Sequence, residues 1–187
     1  VVYASQFADV YRAGVSEVSK AEAENRLGFC TPILKGFLTE QGFMCASLGV
    51  QVFGGHGYVK EWGAEQILRD SRISMLYEGT TGIQALDLIG RKVLLDEFFQ
   101  LKVFTNEILS FCAQFLPWKR NQYTFKMLRK ILALARLTIR WRYLAIRLGL
   151  RAKRDADYVG AGSVDFLMYS GYVYMAYMWS KMSLEAH

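Results

Sequence analysis

The feature that most constrains the fold of this chain is the spacing of its apolar residues, which recur every three or four positions over most of its length. Nowhere do apolar and polar residues alternate for long enough to predict a sheet. Proline occurs only twice in the 187 residues, so long helices are possible. The sequence therefore predicts an all-α fold, with an antiparallel helical bundle followed by a second helical layer.

Proline, glycine and threonine predict where individual helices begin and end. We expect Pro32 in a first helical turn, where its missing N–H breaks no hydrogen bond. The same helix is expected to end at residues 54–57, because three glycines in four positions favour positive φ. Thr81 and Gln84 have the spacing of a capping box, which predicts a helix start at Thr81. The other predicted helices cover residues 1–19, 64–76, 96–116, 121–150 and 155–182.

The composition changes once along the chain, and this change predicts two domains. Twelve of the 23 cationic residues fall between Lys119 and Arg154, where no acidic residue occurs. The helices before residue 95 carry glycine-rich and polar motifs, whereas the later helices carry none. We therefore expect one domain in residues 1–94 and a second in residues 95–187.

Charge and cysteine content limit the classes of function. The formal net charge of +6 is compatible with anionic ligands and with nucleic acid. The three cysteines, Cys30, Cys45 and Cys112, lack a C-x-x-C spacing, so we expect neither a disulfide framework nor a metal site, and a reducing, cytoplasmic location. We expect no signal peptide and no membrane span. Because the sequence opens at Val1 rather than Met, we expect a processed chain or a fragment.

The segment Gln51-Val52-Phe53-Gly54-Gly55-His56-Gly57 is the first candidate for a binding site. Closely spaced glycines let backbone N–H groups approach a phosphate. The spacing matches neither the dinucleotide-binding fingerprint nor the P-loop. A helix end followed by a tight turn is the more common reason for such glycines, so the pattern alone leaves both interpretations open.

Glu78 is the second candidate, in the segment Tyr77-Glu78-Gly79-Thr80 ahead of the helix that begins near Thr81. The first turn of a helix has free N–H groups and favours negative charge. A carboxylate at this place is a possible general base. The alternative is a solvated glutamate that only helps to cap the helix.

Together these motifs resemble the C-terminal helical domain of the acyl-CoA dehydrogenase family. The resemblance lies in the order and spacing of Gln51-x-x-Gly-Gly-x-Gly, Arg69-Asp70, Tyr77-Glu78-Gly79-Thr80 and Ile83-Gln84. Residues 54–63 and 82–88 are most similar to the branch that includes 3-methylmercaptopropionyl-CoA dehydrogenase. That branch carries an extra C-terminal helical domain, which residues from about 95 onwards resemble.

The resemblance implies a flavin-dependent acyl-CoA dehydrogenase. It gives Glu78 the role of the base that removes an α-proton from an acyl-CoA substrate while a β-hydride passes to FAD, and it makes Gly79 the backbone neighbour of the thioester. Electron transfer to an electron-transfer flavoprotein and a homo-oligomer are implied as well. The implied FAD-binding residues are Gln51, Val52, Phe53, Gly54, Gly55, Thr80 and Gly82. Many relatives have glutamine in place of Gly82, so a side-chain contact is lost there.

The family's N-terminal helical domain and middle β-domain have no counterpart in this sequence. Since these domains supply most of the flavin and thioester pocket, we expect the 187 residues alone to be inactive.

A basic helix provides a rival function. On a helix over 121–150, five cations are predicted on one side and five apolar residues on the other. The cations are Lys126, Arg129, Arg136, Arg140 and Arg147, and the apolar residues are Leu128, Ile131, Leu132, Ile139 and Ile146. We prefer a solvated face to a non-catalytic docking surface for acidic residues, and both to a nucleic-acid-binding module, because no nucleic-acid motif is present.

Overall fold

The computed structural model describes residues 2–13, 17–115, 125–155 and 157–185. Within these ranges the chain is almost entirely helical and contains no β-strand, which confirms the all-α prediction. The α-helices are α1 (Val2–Ala13), α2 (Glu17–Phe53), α3 (Gly55–Tyr58), α4 (Ala64–Ile73), α5 (Thr81–Leu86), α6 (Phe99–Ala113), α7 (Phe125–Ala152) and α8 (Asp157–Glu185). A 3₁₀ turn (Lys60–Trp62) follows α3, and a π-helix (Asp87–Leu94) follows α5. No helix in the described part of the chain is long and apolar enough to cross a membrane.

The chain divides into two compact units, Val1–Leu88 and Ile89–His187. The π-helix (Asp87–Leu94) runs through the point of division. The sequence-based boundary near residue 95 stays a prediction.

In the first unit, α2 is the central element. It is 37 residues long, about 55 Å at 1.5 Å per residue, and α1, α3, α4 and α5 all contact it. Phe29, Ile33 and Phe37, at four-residue spacing, are buried on one side of it. The parts of the first unit that carry the candidate site are therefore all attached to one helix.

The predicted helix start at Pro32 is wrong, because α2 begins at Glu17 and runs through the proline. A proline inside a helix costs about 3 kcal/mol. Burial of Phe29, Ile33 and Phe37 contributes about 1.5–3 kcal/mol for each side chain, so packing outweighs that cost. The predicted helix over 1–19 corresponds to α1 as far as Ala13, and its next residues, 14–16, lie outside the described ranges.

The second unit contains an aromatic core between α6, α7 and α8. The ring of Phe104 stacks on Tyr174 at 5.5 Å and meets Trp141 and Tyr177 edge-on at 6.0 and 6.1 Å. Such pairs add about 0.5–1.5 kcal/mol each beyond the area that they bury. One ring of α6 thus joins α7 to α8.

Arg142 of α7 binds three neutral acceptors of α6. Its Nη2 donates to the Lys102 carbonyl at 3.0 Å and to Asn106 Oδ1 at 2.5 Å, and its Nε donates to the Thr105 hydroxyl. Burial lowers the pKa of the guanidinium below its usual value. The bonds replace the water that a half-buried cation loses, so they hold the two helices in register.

Candidate functional site

The glycine segment ends α2, as the sequence predicts. Gly54 has φ 59° and ψ −139°, a conformation that side chains strongly disfavour, and its N–H donates to the Gln51 carbonyl at 3.1 Å. The N–H of Gly57 donates in turn to the Gly54 carbonyl at 3.0 Å. The chain therefore turns sharply and starts α3 at Gly55.

Gly57 allows α3 to fold closely against the end of α2. A Cβ atom at Gly57 would lie 2.4 Å from the Val50 carbonyl oxygen and 2.8 Å from Phe53 Cβ. By contrast, a Cβ at Gly54 or Gly55 would have no atom within 4 Å, and both residues are exposed. The backbone at Gly54 and Gly55 is therefore open to a large group from outside.

The side chains around this turn are exposed although many of them are apolar. Val52 is 85% exposed, Phe53 58%, Tyr58 83% and Trp62 62%. Gln51, also exposed, is the polar member of the group. We call this set of five residues the α2–α3 patch. An apolar group of this kind is typical of a surface that meets another chain or a ligand.

Glu78 lies in the loop between α4 and α5, where its backbone is left-handed. Its φ is 55°, and that of Gly79 is 89°. A non-glycine residue in this region costs on the order of 1–2 kcal/mol and needs its surroundings to hold it. One support is Gln84, whose Nε2 donates to the Glu78 carbonyl at 2.9 Å.

The predicted capping box at Thr81 and Gln84 is wrong. Thr80 is the N-cap residue, with no hydrogen bond from its side chain, and Thr81 is already inside the helix. The Thr81 hydroxyl donates to Glu40 Oε1 at 2.6 Å, and Gln84 binds the Glu78 carbonyl. Both side chains are used in contacts that hold the loop, so neither is left to cap the helix.

Two residues of α2 that the sequence analysis missed also hold this loop. Lys35 Nζ donates a hydrogen bond to the Gly79 carbonyl and lies 5.8 Å from the centre of the Tyr77 ring. Glu40 accepts the bond from Thr81. Both are half-buried in a helix whose neighbouring residues are mainly apolar. A charged residue in such a stretch is the signal that could have identified them.

The carboxylate of Glu78 is exposed and makes no hydrogen bond or ion pair with the described part of the chain. It is therefore available to accept a proton from an external molecule. Gly79 beside it is half-buried, since a Cβ there would lie 3.0 Å from Gln84 Nε2. Thr80 is exposed, and a Cβ at Gly82, in the first turn of α5, would lie 4.0 Å from the Thr80 hydroxyl oxygen, an ordinary contact distance.

The two halves of the predicted site are attached to different parts of α2. Lys35 and Glu40 hold the Glu78 loop, whereas Val50 and Phe53 pack against the turn that follows Gln51. Sixteen residues separate Lys35 from Gln51, which corresponds to about 24 Å along a helix. One helix therefore positions both halves without bringing them into a single pocket. Across the described ranges no group of three or more metal-ligating side chains could hold a metal ion.

The basic side of α7 is only partly as predicted. Arg129, Arg136, Arg140 and Arg147 are exposed, and the side chain of Lys126 lies outside the described residues. The predicted apolar face is right for Ile131, which is buried, and wrong for Leu132, Ile139 and Ile146, which are 50–58% exposed. The buried face consists of Ile131, Leu134, Thr138, Trp141 and Ala145. Thr138 fits there because its hydroxyl donates to the Leu134 carbonyl at 2.8 Å, which removes the cost of burying it.

Family comparisons match nearly the whole chain in two parts. Residues 8–94 match the model described as "Acyl-CoA dehydrogenase, C-terminal domain". Residues 104–187 match the model described as "Acetyl-CoA dehydrogenase C-terminal like". Both candidate motifs, at residues 51–57 and 77–84, fall within the first match.

Three curated relatives illustrate the similarity. The 3-methylmercaptopropionyl-CoA dehydrogenase of Ruegeria pomeroyi is 54% identical over 80 residues, which are 43% of this chain and 14% of the relative. The broad-specificity linear acyl-CoA dehydrogenase FadE5 of Mycobacterium tuberculosis is 31% identical over 83% of this chain and 25% of the relative. A butyryl-CoA dehydrogenase of Syntrophomonas wolfei is 28% identical over 60% of this chain and 19% of the relative. The chain thus spans a quarter or less of these relatives.

Proposed function

Because this chain belongs to the acyl-CoA dehydrogenase family, we propose that it supplies the catalytic base and part of the FAD site of an enzyme that oxidises acyl-CoA thioesters. The observation that carries the proposal is the Glu78 loop. A carboxylate is presented to solvent from a strained backbone that Lys35, Glu40 and Gln84 hold in place. Strain that is held in this way is a common property of catalytic residues.

In the proposed reaction Glu78 takes the proton from the α-carbon of the acyl group. The α C–H electron pair forms the new double bond as the β-hydrogen leaves with its own pair. FAD, when bound, supplies the acceptor for that hydride. We assign to Gly79 the role of backbone neighbour of the thioester. The products are an α,β-unsaturated thioester, a protonated Glu78 and a reduced flavin.

The residues of the glycine turn fit the phosphate-rich part of a dinucleotide. The open space beside Gly54 and Gly55 admits a large anion to the backbone, and Gln51 adds a polar side chain. We assign the same role to Val52 and Phe53 at the end of α2. Thr80 and Gly82 would face the adenine end, where glycine at position 82 provides no side-chain contact.

The proposal also includes a homo-oligomer of the enzyme and a partner protein that accepts its electrons. The α2–α3 patch exposes Val52, Phe53, Tyr58 and Trp62 together, and we infer that it meets another subunit in a homo-oligomer. We propose an electron-transfer flavoprotein as the partner that accepts the electrons from the full-length enzyme.

The decisive experiment replaces Glu78 by Gln in a full-length dehydrogenase that carries this chain as its C-terminal region. We expect normal FAD content and a rate of acyl-CoA-dependent flavin bleaching that falls at least ~100-fold, the usual order for a general base. Glu97→Gln is a matched control, because Glu97 is also exposed and has φ 50°. Normal bleaching by the Glu78→Gln enzyme would refute the assignment.

The exposed arginines of α7 support a second candidate, the binding of nucleic acid. A protein that binds DNA through four arginines shows saturable gel shifts that weaken steeply with added salt. We expect no shift of duplex DNA near physiological ionic strength. Saturable binding that is lost on Arg136→Ala with Arg140→Ala would favour the second candidate.

A further inference from the structure

Lys35 contacts the residues on both sides of the proposed base. From the middle of α2 its ammonium donates a hydrogen bond to the carbonyl of Gly79 and lies 5.8 Å from the ring centre of Tyr77. Tyr77 precedes Glu78 and Gly79 follows it.

The loop requires such contacts because two consecutive residues have positive φ. Glu78 has φ 55° and Gly79 has φ 89°. If the loop were free, Glu78 would relax to the more favourable negative φ, and its side chain would then leave the Cα in another direction. The position of the carboxylate therefore depends on what holds the backbone.

The contacts of the loop are divided among three side chains. Gln84 binds the carbonyl of Glu78, and Glu40 binds the hydroxyl of Thr81. Gln84 belongs to α5 and moves with the loop, whereas Glu40 and Lys35 belong to α2. Of these two, only Lys35 contacts residues next to Glu78.

The cationic group of Lys35 is not used in an ion pair within the described part of the chain. Its partners are a carbonyl oxygen and the face of an aromatic ring. Both are neutral groups that attract a cation, and a charged donor makes a stronger bond to a carbonyl than a neutral one. With such partners, Lys35 holds the backbone of the loop in place and does not neutralise the charge of a carboxylate.

We propose that Lys35 is a positioning residue for Glu78: it holds Tyr77 and Gly79 against α2 and so keeps the carboxylate where it can reach the α-proton. The inference rests on the proposed function of Glu78. Proton transfer requires the base to be within hydrogen-bond reach, and a displacement of about 1 Å can cost on the order of 100-fold in rate.

The first test is amide hydrogen exchange of the purified chain. Lys35→Met keeps most of the aliphatic side chain but removes the donor and the charge. We expect exchange of the hydrogen-bonded amides on either side of the loop, those of Tyr77 and Gln84, to become at least ~10-fold faster. Lys35→Arg retains a cationic donor, so the exchange rates of the same amides should stay within about 3-fold of those in the parent chain. Lys92→Met, another half-buried lysine, is the control. If Lys35→Met does not fold, as judged by circular dichroism, Lys35→Gln replaces it.

The second test measures flavin bleaching at saturating acyl-CoA in a full-length dehydrogenase, with butyryl-CoA and palmitoyl-CoA as probes. We expect Lys35→Met to lower the rate ~10- to 100-fold, to change the Kd for the thioester less than about 3-fold, and to increase the isotope effect of an α-deuterated substrate. Lys35→Arg should restore most of the rate. A lysine that only stabilises the fold would not produce this split between rate and affinity.

Three results would overturn the inference, and they are distinguishable. Unchanged exchange in Lys35→Met means that Lys35 does not hold the loop. In an enzyme that Glu78→Gln inactivates, the second result is that Lys35→Met exchanges faster and still bleaches the flavin at the parent rate. That result means that the contacts of Lys35 hold the loop but do not contribute to catalysis. If Glu78→Gln bleaches normally, the proposed function fails and the catalytic part of this inference fails with it, while the exchange data still report whether Lys35 holds the loop.

Discussion

Replacement of Gly57 by alanine should destabilise the first unit, and the structure gives the size of the effect. The new Cβ would lie 2.4 Å from the Val50 carbonyl oxygen, at least 0.6 Å inside the 3.0 Å below which real Cβ contacts essentially never occur. The obstacle is backbone in the last turns of α2, so either α3 moves away or that turn distorts. Overpacking of this kind costs about 1–3 kcal/mol. We expect urea titration followed by circular dichroism to show a free energy of unfolding lower by that amount.

The neighbouring glycine provides the control. Gly55→Ala places a Cβ in open space and in a helical backbone, so the free energy of unfolding should change by less than about 0.5 kcal/mol. For a unit of this size, 1 kcal/mol corresponds to a shift in Tm of roughly 4–8 °C, which separates the two variants in a thermal scan. Equal stability of the two variants would refute the argument that close approach, rather than loss of glycine flexibility, sets the requirement at position 57.

Three further predictions follow from the two units. Burial raises the pKa of the Cys112 thiol from 9.0 to about 11, so the unfolded state loses this proton at a lower pH than the folded state does. The free energy of unfolding, measured by urea titration, should therefore fall by about 2–3 kcal/mol as the pH rises from 9 to 11. This fall should be absent in Cys112→Ala. Arg142→Met should lower the free energy of unfolding by about 1.5–3 kcal/mol, and the exposed Arg140→Met by less than about 0.5 kcal/mol, in the same assay. The purified 187-residue chain should be colourless and should not reduce an artificial electron acceptor with any acyl-CoA; a yellow preparation with turnover would contradict this.

The sequence predicted those features that depend on short-range backbone preferences. Three glycines in residues 54–57 indicated the end of α2, and the structure confirms it through the positive φ of Gly54 and the tight contact at Gly57. Helical periodicity likewise predicted the all-α fold. Both signals depend on steric limits within a few residues, so they are readable without knowledge of the fold.

The errors arose where contacts distant in the sequence decide the outcome. Pro32 was expected near a helix start, but the burial of Phe29, Ile33 and Phe37 carries α2 through it. The face of α7 that packs inside was also mispredicted, because threonine at 138 and alanine at 145 are buried there while three larger aliphatic residues are exposed. Periodicity shows that a helix has two faces, but the neighbouring helices decide which one is covered.

For the candidate site, the sequence identified the positions in the loop but not what holds them. Glu78 was named from its motif, whereas Lys35 and Glu40, 38 and more residues earlier, were missed. A hydrogen bond across such a separation has no signature in local spacing. The assignment of Glu78 as the base is a prediction that Glu78→Gln tests, and the assignment of the FAD-binding residues also stays a prediction.

Because α2 runs without interruption from one site to the other, it limits the insertions and deletions that this region can tolerate. Each residue of a helix turns the chain by 100° and advances it by 1.5 Å. A single deletion between Glu40 and Gln51 would therefore rotate the glycine turn by about a quarter of a circle relative to the Glu78 loop. The smallest insertion or deletion that restores the phase to within about 20° has about seven residues, and it would shift the two sites by about 10 Å. We expect related proteins to vary in length in their loops while this stretch of α2 keeps a fixed number of residues.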